Sequence, residues 1–204
     1  MLQDYLDAEI SWRIKELANL KIAISQPRLE KKTLIRAAVC IMYAHWEGFV
    51  KSASLAYLNL VNNQRLNYDK LSACFVVFGV KKYLHDLKTA ARASVNIAAV
   101  EFFLSNLQAR AQLKLSRAVD TESNLSSTVF DNIAVSIGID PSGYQHKYHL
   151  IDQSILNRRN RIAHGEYLDL EENECRTLVD EVISLIRAFK TDIENCAFRG
   201  SFRR

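Results

Sequence analysis

The chain has 204 residues, enough to bury a sizeable core as one domain, and carries six glycines, two prolines and a formal net charge of +4. So little punctuation among runs rich in Ala, Leu, Ile, Lys, Arg and Glu favours long helices over many short strands, and predicts an all-α fold. The charge admits an acidic partner without requiring one, while the absence of any stretch of about 18 uncharged apolar residues, and Asp4, Asp7 and Glu9 ahead of any apolar run, exclude a membrane span and a signal peptide.

In chain order, Ile10, Ile14, Leu17 and Ile24 recur at helical spacing until Pro27, which predicts an N-terminal helix within residues 1–26 that packs on the core. A second helix is expected from about Leu29 to about Val61. Its stripe Val39, Tyr43, Trp46, Val50, Ala53 and Tyr57 steps by four and three, the pattern of a helix packed lengthwise against others. Residues 71–87 suit a buried helix, although Phe75 to Phe78 alone would suit a strand, and residues 96–115 read as helical again. The Ser, Thr, Asp and Asn of residues 116–127 predict a loop. A short helix over 128–137 should stop at Gly138 and the turn Asp140-Pro141-Ser142-Gly143, with helices over about 146–164 and 171–196 completing one domain spanning 1–204.

Cys40, Cys74, Cys175 and Cys196 stand far apart with no Cys-x-x-Cys pair, which points to reduced thiols and a cytoplasmic setting. Most basic residues, Lys81, Lys82, Lys88 and Arg92 among them, read as solvated helix faces. The exception is Arg158-Arg159-Asn160-Arg161-Ile162-Ala163-His164, which gathers three guanidiniums, an amide and an imidazole in seven residues. Such a group suits a phosphate held beside a side chain that titrates near neutrality. On an ideal helix Asn160 shares the face of His164, and Arg161 leans towards it. Arg159 lies roughly 140° away but can join through its long stem if Gly165 caps a tightened last turn. Geometry alone leaves Arg159 and Arg161 open.

Glu47, four residues after Tyr43 and four before Lys51, either pairs with Lys51 on the surface or orients the arginine motif from behind. His146 and His149 lack a carboxylate or cysteine that would complete a ligand set with His164, and no Gly-rich phosphate loop is present, so neither a metal nor a cofactor is expected.

The segment Arg159-Asn160-Arg161-Ile162-Ala163-His164 resembles the Arg-x4-to-x6-His signature of the HEPN superfamily. Tyr43-Ala44-His45-Trp46-Glu47-Gly48-Phe49-Val50-Lys51, Asp120-Thr121-Glu122-Ser123-Asn124-Leu125 and Ile137-Gly138-Ile139-Asp140 occur in the order seen in its stand-alone prokaryotic MAE-type family. The resemblance implies a helical bundle with a core of four or five helices plus additional helices. It implies a homodimer in which two motifs face one cleft, metal-independent RNA cleavage, and a toxin–antitoxin or anti-phage setting with an antitoxin or defence partner. It makes Arg159 and His164 catalytic with Asn160 in support; Arg158 also satisfies the looser spacing. Where members neutralised by a nucleotidyltransferase carry a tyrosine two residues after the histidine, this chain has Glu166, with Tyr167 next. That weakens the case for tyrosine adenylylation and leaves the nuclease reading intact. The alternative is a non-catalytic HEPN module that binds a nucleotide, RNA or a protein partner.

Overall fold

Three long helices form the frame of the computed structural model, which describes residues 1–27, 30–116 and 118–204. They are α1 (Leu2–Ser25), α2 (Lys31–Asn63) and α7 (Glu172–Arg199), and each packs along the other two. The expected start of the second helix at Leu29, and Arg117 within the expected loop, lie outside the described residues. In α1 the buried residues Leu6, Ile10, Leu17, Leu20 and Ile24 keep to one stripe. All six residues of the predicted α2 stripe are buried. α7 supplies Leu178, Val182, Leu185, Phe189 and Ile193 from the facing side.

Between these frames lies an aromatic knot. Trp46 of α2 stands 5.2 Å from Phe130 and 6.3 Å from Phe189, ring centre to ring centre, and Phe130 meets Tyr144 at 4.9 Å. Phe130 belongs to α5 (Ser127–Ser136), whose N-terminus is capped twice: Ser126 Oγ accepts from the Val129 amide, and Asp152 accepts from both the amide and hydroxyl of Ser127. Asp152 thereby ties α5 to the segment that leads into the arginine motif.

The structure departs from the expected elements in three places. The helix expected over 96–115 ends early, because α4 runs Ala93–Ser105. The chain beyond it bonds back to residues 66–69 instead: Ala109 and Leu107 carbonyls accept from Tyr68 and Asp69 amides, and the Ala111 amide donates to Leu66. α3 (Ala73–Thr89) is helical as expected but buried only where Phe75, Phe78 and Val80 enter the core; from Lys81 onward it is largely exposed. Gly79 fixes its approach, since a Cβ there would stand 2.5 Å from the Tyr68 ring. Finally, the helix expected over 146–164 is a 3-10 turn (Pro141–Lys147), a π-helical segment (Leu150–Asn157) and a short α6 (Arg158–Ala163). Wider π turns shift every later side chain around the axis, so the motif faces a direction that an ideal helix does not give.

Candidate functional site

α6 delivers the motif and then stops. Gly165 adopts φ +79° and its amide donates to the Ile162 carbonyl at 3.0 Å, while the Glu166 amide donates to Arg161 at 2.9 Å, the paired bonds of a Schellman cap. His164 is the C-cap residue, its own amide bonded to the Asn160 carbonyl at 2.9 Å. The strand of chain after it is strapped to the start of α2: Arg36 Nη2 donates to the Glu166 carbonyl, Lys32 bonds the Tyr167 hydroxyl and Asp169, and Lys31 pairs with Glu172.

The three arginines separate by partner. Arg158 pairs with Glu174, and Arg161 Nε pairs with Glu166 at 2.9 Å. Arg159 has no carboxylate within ion-pair distance among the described residues. Its guanidinium carbon stands 3.9 Å above the centre of the Tyr43 ring, and its Nη2 donates to the Ser123 carbonyl at 3.3 Å. A cation over an aromatic face is held without being neutralised, so Arg159 keeps its charge for an anion. Arg161 turns towards its neighbour Glu166, and Arg159 turns inward onto α2.

The seat of Arg159 is itself strained and braced. Glu122 and Ser123 sit at φ +52° and +62°, left-handed values that cost non-glycine residues roughly 1–2 kcal/mol each. The loop holds them through Asp120, which accepts from the Glu122 amide, and through Leu125, whose side chain is fully buried and whose amide donates to the Tyr43 hydroxyl at 2.8 Å. Strain maintained at such expense clusters at functional sites. Burial pushes the Tyr43 phenol up, with the Leu125 amide and Arg159 opposing and the Glu47 carboxylate adding to it. One turn earlier, burial likewise pushes the Cys40 thiol up, and the guanidiniums of Arg159 and Arg36 pull it back. Tyr43 is the floor on which Arg159 rests, and its charge reaches Cys40 one turn earlier on α2.

Asn160 is half-buried, and its side chain makes no hydrogen bond among the described residues. His164 is exposed, and its imidazole makes none either, so no bond joins Arg159 to His164 within one chain. Glu47 is half-buried and forms neither the pair with Lys51 nor a bond to Arg159 or His164; only its charge reaches the site, through Tyr43. His146 and His149 are exposed, and among the described residues no cluster of three or more His, Cys, Asp or Glu could hold a metal ion.

Tyr43, Ser123 and Arg36 were missed as site residues. A signal existed: two segments that carried the family resemblance, one containing Tyr43 and the other containing Ser123 and Leu125, converge on Arg159.

A family model matches residues 8–195 of this all-helical bundle, which makes it a HEPN-superfamily domain. The chain belongs to the RiboL-PSP-HEPN family. No curated protein and no solved structure matches it significantly. Among the described residues, no helix is long and apolar enough to cross a membrane.

Proposed function

We propose that the protein is a metal-independent endoribonuclease that acts as a homodimer. The observation that carries this reading is the state of Arg159: of the three motif arginines it alone lacks a carboxylate partner among the described residues, and its half-buried guanidinium is held on the Tyr43 ring. A phosphate would meet that uncompensated charge.

The chemistry needs a base, an acid and a cation. A neutral His164 takes the proton of a ribose 2′-hydroxyl, the 2′-oxygen attacks the adjacent phosphorus, and the 5′-oxygen leaves with a proton from a second, protonated imidazole. Arg159 offsets charge on the phosphorane, and Asn160 supplies amide donors beside it. Because the substrate carries its own nucleophile, no metal-activated water is needed, and DNA, which lacks the 2′-hydroxyl, is not cut. Each chain contributes one motif histidine, so acid and base together call for a second copy facing the first across the exposed His164 surface. A cytoplasmic toxin or anti-phage role, restrained by an antitoxin or defence partner, follows from the same reading.

Purified protein incubated with single-stranded RNA in excess EDTA should yield fragments ending in 2′,3′-cyclic phosphate. Arg159→Ala and His164→Ala should abolish cleavage. RNA binding lost with Arg159→Ala, together with no cleavage by any form, would instead identify a non-catalytic RNA-binding module. Absence of salt-dependent RNA affinity would remove both readings.

A further inference from the structure

The segment that follows His164 holds one aromatic ring outward. From 166 to 170 no helix forms, and burial alternates as it does along an extended chain: Leu168 and Leu170 are buried, while Tyr167 is 62% exposed and Asp169 is exposed with it. Lys32 fixes the tip of that ring, donating to the Tyr167 hydroxyl at 3.3 Å while it pairs with Asp169 at 3.1 Å. A ring that is tethered and still open to water gains apolar contact when a nucleobase stacks on it.

The same segment meets an unmatched cation. Arg36, half-buried on α2, donates its Nη2 to the Glu166 carbonyl at 3.1 Å, one residue along the chain from Tyr167 and two from His164. No carboxylate lies within ion-pair distance of Arg36 among the described residues, for Glu166 is matched by Arg161, Asp169 by Lys32 and Glu172 by Lys31. A guanidinium has five N–H donors, and this carbonyl engages one of its nitrogens. Arg36, Cys40 and Tyr43 follow one another at steps of four and three on one face of α2, and Arg159 lies over the last of them. The two uncompensated arginines thus stand about two helical turns apart on one face, and the charge of both reaches the Cys40 thiol between them.

We propose that Arg36 and Tyr167 form a second nucleotide subsite, in which Arg36 holds a phosphate flanking the one at Arg159 and the exposed Tyr167 ring stacks on the adjoining base. The identity of the ligand rests on the cleavage reading, and the subsite narrows that reading to a single strand, because bases paired in a duplex are stacked on one another and closed to a side-chain ring.

A short single-stranded RNA, 2′-O-methylated throughout so that it cannot be cut and carrying 2-aminopurine at several positions, separates binding from cleavage. The wild type should quench its fluorescence and bind it more tightly than the same strand annealed to its complement. Arg36→Gln, which keeps a donor for the Glu166 carbonyl, should lower the slope of log affinity against log salt by about 0.7, the share of one phosphate on a single strand. Tyr167→Ala should weaken binding at least about fivefold and remove the quenching, and the conservative Tyr167→Phe should recover both. In cleavage of the unmodified strand, Arg36→Gln and Tyr167→Ala should raise KM and leave kcat within a few-fold. An unchanged salt slope in Arg36→Gln, or unchanged affinity and quenching in Tyr167→Ala, would overturn the subsite while cleavage through Arg159 and His164 could still hold; no RNA affinity in any form would overturn both.

Discussion

Of the arginines that lie on aromatic rings, Arg13 and Arg159 serve opposite ends. Arg13 of α1 sits 4.4 Å over Trp12, is 5% exposed, and gives its Nη1 to the Glu9 carboxylate at 2.7 Å. Arg159 of α6 sits 3.9 Å over Tyr43 and gives its Nη2 only to a backbone carbonyl. The ring contact is common to both; the carboxylate is not. With it, the charge is satisfied within the fold and helps seat α1 on α2. Without it, the charge is positioned and left available, which is what binding an anion requires.

The contrast is sharpest under substitution. Arg159→Ala should lower kcat/KM for RNA by at least about a hundredfold, the loss typical when one donor to a developing oxyanion is removed. Its stability should fall by about 1–2 kcal/mol, the worth of a half-buried cation over a ring. Arg13→Ala should do the reverse: urea denaturation should show a loss of about 2–3 kcal/mol, reduced from the value for a fully buried pair because Glu9 retains some solvent, and kcat/KM should stay near the wild-type value. If both variants lost stability equally and activity equally, the two stacks would be doing the same job.

A smaller effect separates the ring from its hydroxyl. Tyr43→Phe keeps the surface under Arg159 but leaves the Leu125 amide without its partner in a buried site, which should destabilise by about 1–2 kcal/mol. Activity should drop by a few-fold as the Ser123 carbonyl loses its fixed position, and the change should appear in kcat more than in KM. Gly165→Ala meets no neighbouring atom, so any loss arises from its φ of +79° alone; about 1 kcal/mol is expected from thermal unfolding.

The smallest effect concerns pH, again on the α1 side. Burial holds the His45 imidazole below its ordinary 6.5, against the pull of Glu16 at 3.0 Å, and nearby Arg13 lowers it further. The unfolded chain therefore binds this proton more readily than the folded one. His45 contributes stability above about pH 6.5, and that contribution should fade as the pH drops from there through the lower folded value. Urea midpoints measured from pH 7.5 to 5 should fall less steeply in His45→Gln than in the wild type.

What could be read from the sequence follows from which interactions are local. The α2 stripe was legible because lengthwise packing repeats every three or four residues, and Gly165 was legible as a cap because the left-handed turn has its own residue preference. The end of α4 was not, since no glycine or proline marks Asn106 and the stop depends on bonds to residues 66–69, forty positions away. Nor was the burial of His45, which depends on α1 covering it with Trp12 and Glu16. Within the motif, the family resemblance named Arg159, Asn160 and His164 where spacing had left Arg159 and Arg161 open, but which arginine stays uncompensated depends on Glu174, Glu166 and a loop of strained backbone at Ser123. Those are tertiary facts, and the π-helical turns before α6 set the direction in which each arginine points.

The central claim is that one arginine of three is reserved for the RNA phosphate. Cleavage of a single RNA substrate by Arg158→Ala, Arg159→Ala and Arg161→Ala, measured side by side in EDTA, tests it most directly. The expected result is a rate close to wild type for Arg158→Ala and Arg161→Ala and a near-complete loss for Arg159→Ala; comparable losses in all three, or a loss confined to Arg158 or Arg161, would contradict it.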